Sequence, residues 1–126
     1  MKNGFEEILA DLEKLEPIKY AISKRYFKLT SNFKELSRLK GMFCYLLIKN
    51  NDCIYCGISK SIRHRIVCHT KDKYFDYVIL LEFNADLYWR RTEKLIIKTL
   101  LPIYNNAYNP NKKSEIKTPP NMKPLN

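Results

Sequence analysis

The chain has 126 residues, 45% of them hydrophobic, with 23 Lys and Arg against 13 Asp and Glu for a net charge of +10. That is the size of one domain with a real core. The surplus of positive charge points to a polyanionic partner, nucleic acid before a membrane surface. No apolar run approaches the ~18 residues that a membrane span needs.

The start, Met1-Lys2-Asn3-Gly4-Phe5-Glu6-Glu7, lacks the apolar stretch of a secretory signal. The expectation is a cytoplasmic protein whose four cysteines, Cys44, Cys53, Cys56 and Cys68, stay reduced. The charge is unevenly spread. Residues 1–16 hold five acids and two Lys, whereas residues 17–41 hold seven basic residues and only Glu35.

In chain order, Phe5, Ile8, Leu9, Leu12 and Leu15 recur at helical spacing and predict a helix over 4–16, stopped by Pro17. Residues 18–30 are ambiguous. Ile18, Tyr20 and Ile22 alternate like a strand, yet Tyr26 and Phe27 suit a helix equally. Asn32-Phe33-Lys34-Glu35 resembles a capping box opening a short helix, with Gly41 where a C-terminal cap belongs. Met42 to Ile48 is an apolar run read as a buried strand. Asn50-Asn51-Asp52 is a turn, and Cys53-Ile54-Tyr55-Cys56 is the returning strand, ended by Gly57. Ser59 or Ser61 can cap a following helix to about Thr70. Tyr74 to Phe83 reads as a third strand. Asp86 can cap a helix that Pro102 ends. From Asn109 the chain is rich in Lys, Asn and Pro and poor in apolar residues, as in a basic disordered arm.

Several side chains in this order carry chemistry. On the last helix, the residues at −4, +3, +4 and +7 from Glu93 are Trp89, Ile96, Ile97 and Leu100, so an acid sits inside an apolar stripe. A carboxylate there is costly unless paired or metal-bound. It is either a metal ligand or half of an ion pair with Arg65 or Arg90. Arg65 and His69 are i and i+4 and share a helix face. Ile62 and Ile66 adjoin that face as anchors, and Arg63 and His64 point outward. An arginine beside a histidine suits a phosphate site, one neutralising charge and the other moving a proton. Tyr45 and Tyr55 lie on the two strands of the hairpin. A phenol is a poor base at its ordinary pKa near 10, and a nearby cation eases loss of its proton.

The cysteines allow a competing reading. Cys53-Ile54-Tyr55-Cys56-Gly57 has the form of a zinc knuckle that Cys68 and His69 would complete. Against it, no second pair of cysteines at knuckle spacing is present, and residues three apart on a regular strand face opposite ways. Buried free thiols are the blander explanation.

Residues 41 to 105 resemble a GIY-YIG nuclease domain. Phe43-Cys44-Tyr45 corresponds to the first tripeptide and Tyr55-Cys56-Gly57 to the second. Arg65 follows ten residues after Tyr55, then come His69, Glu93 and the closing Pro102-Ile103-Tyr104-Asn105. Phe43 stands where the family has Gly. The alternative alignment, Gly41-Met42-Phe43, would put a phenylalanine at the first catalytic tyrosine. The resemblance implies an α+β fold, with a small three-stranded antiparallel sheet flanked by helices. Around a nuclease domain over 41–108 it leaves an N-terminal helical extension, 1–40, and a flexible tail, 109–126. It implies Mg²⁺-dependent hydrolysis of DNA phosphodiesters, with Mn²⁺ as a substitute. The site residues it implies are Tyr45, Tyr55, Arg65, His69, Glu93 (the metal ligand) and Asn105. Lys19, Lys24, Arg25, Lys28, Lys60 and Arg63 are candidates for DNA backbone contacts. With no sizeable appended recognition domain, specificity would come from short segments or from a homodimer. The other reading of the same fold is a nucleic-acid-binding module without cleavage.

Overall fold

The structure, a computed structural model, describes residues 4–28 and 34–105. Its elements are α1 (Gly4–Glu13), a 3₁₀ turn (Glu16–Tyr20), β1 (Ser23–Lys28), α2 (Lys34–Ser37), β2 (Met42–Lys49), β3 (Asp52–Ser59), α3 (Ile62–His69), β4 (Tyr77–Phe83) and α4 (Asp86–Leu100). The Asn32-Phe33 half of the expected capping box and the basic tail 109–126 lie outside the described residues. So do the side chain of Phe5 and residues 29 and 30 of the ambiguous stretch.

The architecture is α+β, an antiparallel sheet between two helical layers, as the resemblance implies. The strand count differs. The sheet has four strands in the order β1-β4-β2-β3, not three. The added strand comes from the ambiguous segment, whose first part is the 3₁₀ turn and whose second part pairs with β4 from Ser23↔Glu82 to Lys28↔Tyr77. Lys24, Arg25 and Tyr26 are consecutive and exposed on this edge strand, so no period-2 burial pattern marks it.

The other elements follow from local sequence. The hairpin turns at Asn50 and Asn51, both with positive φ (51° and 66°), which is the geometry that asparagine tolerates in a two-residue turn. Gly41 does not cap α2, which ends at Ser37; it leads into β2 at φ 141°, where a Cβ would lie 3.1 Å from a Glu82 carboxylate oxygen. Asp86 is the first residue of α4 instead of its cap, and it pairs with Arg90 at 3.0 Å. Nor does Gly57 end the returning strand; β3 runs on to Ser59 because Gly57 pairs opposite Tyr45.

The sheet divides the core in two. Alternate residues of β2 and β4 (Cys44, Leu46, Ile48; Ile79, Leu81, Phe83) face Ile8 and Leu12 of α1 and Trp89, Ile96 and Ile97 of α4. The intervening ones (Phe43, Tyr45, Leu47; Val78, Leu80) face Leu36 of α2 and Ile62 and Ile66 of α3. The register of β3 slips between Leu47↔Tyr55 and Ile48↔Cys53, leaving Ile54 as an extra residue. This bulge puts Ile54 and Tyr55 on the α3 side in succession. It also puts Cys53 and Cys56 on the same, α4, side, which a regular strand would forbid.

Beyond β3, the outer edge of the sheet is closed by Tyr104 and Asn105. The Tyr104 N–H donates to the Ile54 carbonyl at 2.9 Å. Asn105 then acts as one more rung. Its Nδ2 donates to the Cys56 carbonyl at 2.9 Å, and its Oδ1 accepts from the Cys56 N–H at 2.8 Å. An open strand edge is thereby partnered.

Candidate active site

Tyr45 is the centre of the site. It projects from β2 toward α3, is fully buried, and lies across Gly57 on the neighbouring strand. A Cβ at Gly57 would come within 2.6 Å of the Tyr45 hydroxyl and 3.0 Å of the Tyr55 ring. Only a residue without a side chain leaves this space, so the glycine of the second tripeptide is there for a neighbour's phenol and not for a turn.

The hydroxyl has two partners from α3, one turn apart. It meets His69 Nε2 at 2.8 Å, and the positive charge of Arg65 acts on it. The helix phase expected from sequence holds. Ile62 and Ile66 are buried against the sheet, Arg65 and His69 turn toward the tyrosines, and Arg63 and His64 are exposed. Ser61 stands at the cap position of α3 without a side-chain cap bond; its N–H instead donates to Ser59 Oγ at 2.8 Å.

Tyr55, half-buried, closes the group from β3. Its ring centroid is 4.6 Å from that of His69 and 6.0 Å from that of Tyr45. Burial raises both phenols above their ordinary value, and the positive charge of Arg65 works against the rise. Burial has the opposite effect on His69. With the nearby charges of Lys73 and Arg65 it lowers the imidazole to about 4, so His69 is neutral at pH 7. At rest the phenol therefore keeps its proton and the imidazole is neutral.

Glu93 lies on α4, in the opposite helical layer. It is half-buried among Trp89, Ile96 and Ile97, and burial raises its carboxyl, offset by Arg90 and Lys94. Its charge is among those that raise the Tyr55 phenol. Arg90, one of its expected ion-pair partners, is held by Asp86. Trp89 fixes the helix by donating from Nε1 to the Phe43 carbonyl at 2.7 Å.

Asn105 does not join this group; both ends of its amide are spent on Cys56, the residue between Tyr55 and Gly57. The basic candidates separate into two sets. Lys60 and Arg63 flank the site at the β3–α3 junction, Lys60 with its ammonium 5.7 Å from the Trp89 ring centroid. Lys24, Arg25 and Lys28 lie on β1 at the other edge of the sheet, roughly 14 Å from β3 at ordinary strand spacing. Lys24 is paired with Glu13 at 3.5 Å, and Lys19 with Glu16 at 3.8 Å.

Sequence reasoning missed three things here: the bulge that turns Tyr55 inward, the close approach at Gly57, and a buried Lys73. Only Gly57 left a trace in sequence, as part of the second tripeptide. The proposed zinc ligands do not converge. Cys53 and Cys56 face the α4 side, with Cys56 Sγ 3.6 Å from Cys44 Sγ. Cys68 sits 3.7 Å from His64, and His69 belongs to Tyr45. Among the described residues, no group of three or more His, Cys, Asp or Glu could hold a metal ion.

The family model of the GIY-YIG catalytic domain matches residues 41–118. The chain belongs to the GIY-YIG family. No match was found among curated proteins or among solved structures. Membership of the GIY-YIG family supports a nuclease, a hydrolase of phosphodiester bonds with DNA as the substrate class. GIY-YIG nucleases are in general metal-dependent. The donor set suits a hard divalent cation, since Mg²⁺ is held by one or two carboxylates and takes its remaining oxygens from water and phosphate. Glu93 offers one such carboxylate, and a cation would offset the effect of the burial that raises its carboxyl. No helix among the described residues is long and apolar enough to cross a membrane.

Proposed function

We propose that the protein is a Mg²⁺-dependent DNA endonuclease whose site is Tyr45, Tyr55, Arg65, His69 and Glu93, with Asn105 in a positioning role and Mn²⁺ as a substitute cation. The observation that carries this reading is the buried Tyr45 hydroxyl, with a neutral imidazole 2.8 Å away and the charge of Arg65 acting on it. A phenol placed for packing alone has no need of both.

Glu93 would hold the cation, which supplies Lewis-acid stabilisation of charge on the phosphate. The roles of the chain's own residues follow from exposure. Tyr45 is sealed, so Tyr55, half-buried, is the phenol that meets water and substrate. A proton drawn from the attacking water passes by way of the phenols to His69 Nε2. That transfer is unfavourable in the empty site, where burial works against both phenolate and imidazolium. A DNA phosphate brings negative charge, which favours an imidazolium, and Arg65 favours the phenolate. Arg65 carries five N–H donors, which suit the non-bridging phosphate oxygens. Asn105 keeps β3 in register under Tyr55. Lys60 and Arg63 take the DNA backbone beside the site, while Lys19, Lys24, Arg25 and Lys28 take more distant phosphates.

The test is Mg²⁺-dependent nicking of supercoiled plasmid by the full chain and by Glu93→Gln. The amide keeps the shape of the side chain and removes its charge. Cleavage should disappear while DNA binding in Ca²⁺ stays near the parent level. Robust cleavage by Glu93→Gln would remove Glu93 as the metal ligand. A parent protein that binds DNA and never cuts it would leave the binding module as the function.

A further inference from the structure

Lys73 follows α3 by one turn and is a buried lysine, its side chain 1% exposed. Its backbone N–H donates to the His69 carbonyl at 3.0 Å. Its ammonium pairs with Asp72 at 3.1 Å and lies 5.3 Å from the Tyr55 ring centroid and 5.5 Å from that of Tyr104. Two aromatic faces and one carboxylate thus hold a positive charge inside the protein, where an unpaired one would be expelled. One of those rings belongs to the site. The other belongs to the segment that closes the edge of β3.

We propose that Lys73 is a positioning residue: its caged ammonium fixes the Tyr55 ring against His69 and sets a positive charge beside that imidazole. The inference rests on the nuclease reading for its purpose, though not for its test. The titratable and charged groups around His69 are Tyr45 on β2, Tyr55 on β3, Arg65 on α3, and Asp72 and Lys73 after it. Lys73 and Arg65 oppose protonation of the ring, and Asp72 favours it. Arg65 is only partly buried, whereas Lys73 is buried and caged.

The chain has two histidines, so NMR of their ring carbons resolves both, and exposed His64 serves as the internal control. Titrations of the full chain would compare the parent, Lys73→Met, Lys73→Arg and Lys73→Gln. In Lys73→Met the His69 midpoint should rise from about 4 by on the order of one pH unit, because a like charge has been removed. Lys73→Gln, which can still bond Asp72, should show the same rise and covers the case of a methionine variant that does not fold. Lys73→Arg keeps the charge and should keep the midpoint. The acid limb of the cleavage rate should move with the midpoint. An unchanged His69 midpoint in a folded neutral variant would overturn the proposal. A parent that cuts no DNA would end the nuclease reading while the titration still decides the role of Lys73.

Discussion

Tyr45→Phe removes one oxygen and leaves the ring that packs over Gly57. Two losses follow, and they differ in size. The first is structural. His69 Nε2 loses its hydrogen-bond partner 2.8 Å away in a nearly water-free position, since His69 is 5% exposed. Leaving a buried polar atom unsatisfied costs about 1–3 kcal/mol. For a domain of this size that is a fall in Tm of roughly 3–12 °C. The second loss is chemical. Without the hydroxyl the route from Tyr55 to His69 is cut, and loss of a positioned proton acceptor costs roughly 10²–10⁴-fold in rate. The assay is single-turnover cleavage in Mg²⁺ beside a thermal melt and a DNA-binding isotherm in Ca²⁺. Expected are a large fall in rate, a small fall in Tm and unchanged affinity. A stable Tyr45→Phe protein that cuts within about threefold of the parent, well inside the range of a lost general base, would refute the relay. It would also favour the Gly41-Met42-Phe43 alignment, in which the first catalytic tyrosine is missing.

Two further outcomes separate the members of the site. Arg65→Ala should lower the single-turnover rate by on the order of a hundredfold or more, whereas Arg63→Ala, exposed one side of the helix away, should cost a few-fold at most, mainly in DNA affinity; the reverse ranking would mean that the working face of α3 is misassigned. Gly57→Ala should cost about 1–3 kcal/mol by overpacking against Tyr45 and Tyr55, and should lose cleavage with every catalytic side chain still present. Full activity with an unmoved Tm in Gly57→Ala would show that the phenol does not lie over that position.

The parts that could be read from sequence were those decided locally. The hairpin announced itself because Met42 to Ile48 is apolar without a break and two asparagines suit the positive φ of its turn. The α3 phase was legible because Ile62, Ile66, Arg65 and His69 lie within about two turns, and the acid at Glu93 stood out against its apolar neighbours. What could not be read depends on partners far away in the chain. β1 is a strand because β4 offers it hydrogen bonds, while its own exposed Lys24, Arg25 and Tyr26 give no alternation. The bulge at Ile54 is a mismatch between two strands and has no signature in either. Lys73 sits in Lys71-Asp72-Lys73, which reads as a solvated charge cluster until Tyr104 arrives to cover it.

The same long-range partners explain why a site with so few charged ligands holds its geometry. Tyr55 faces inward only because of the bulge, and the bulged residue is pinned by Tyr104, whose N–H takes the Ile54 carbonyl. Asn105 pins Cys56 on the next rung, so the strand carrying Tyr55 and Gly57 cannot slide past β2. A one-residue slip would turn Tyr55 to the other face and put a side chain where the Tyr45 phenol lies. On the far side, β1 covers the edge of β4, and Ile8, Leu12 and Ile18 fill the core under β2. The residues before Gly41 therefore bear on the site through the sheet, holding in place the strand that carries Tyr45. Stability and chemistry meet in the register of β3, and that register is set from outside the hairpin itself.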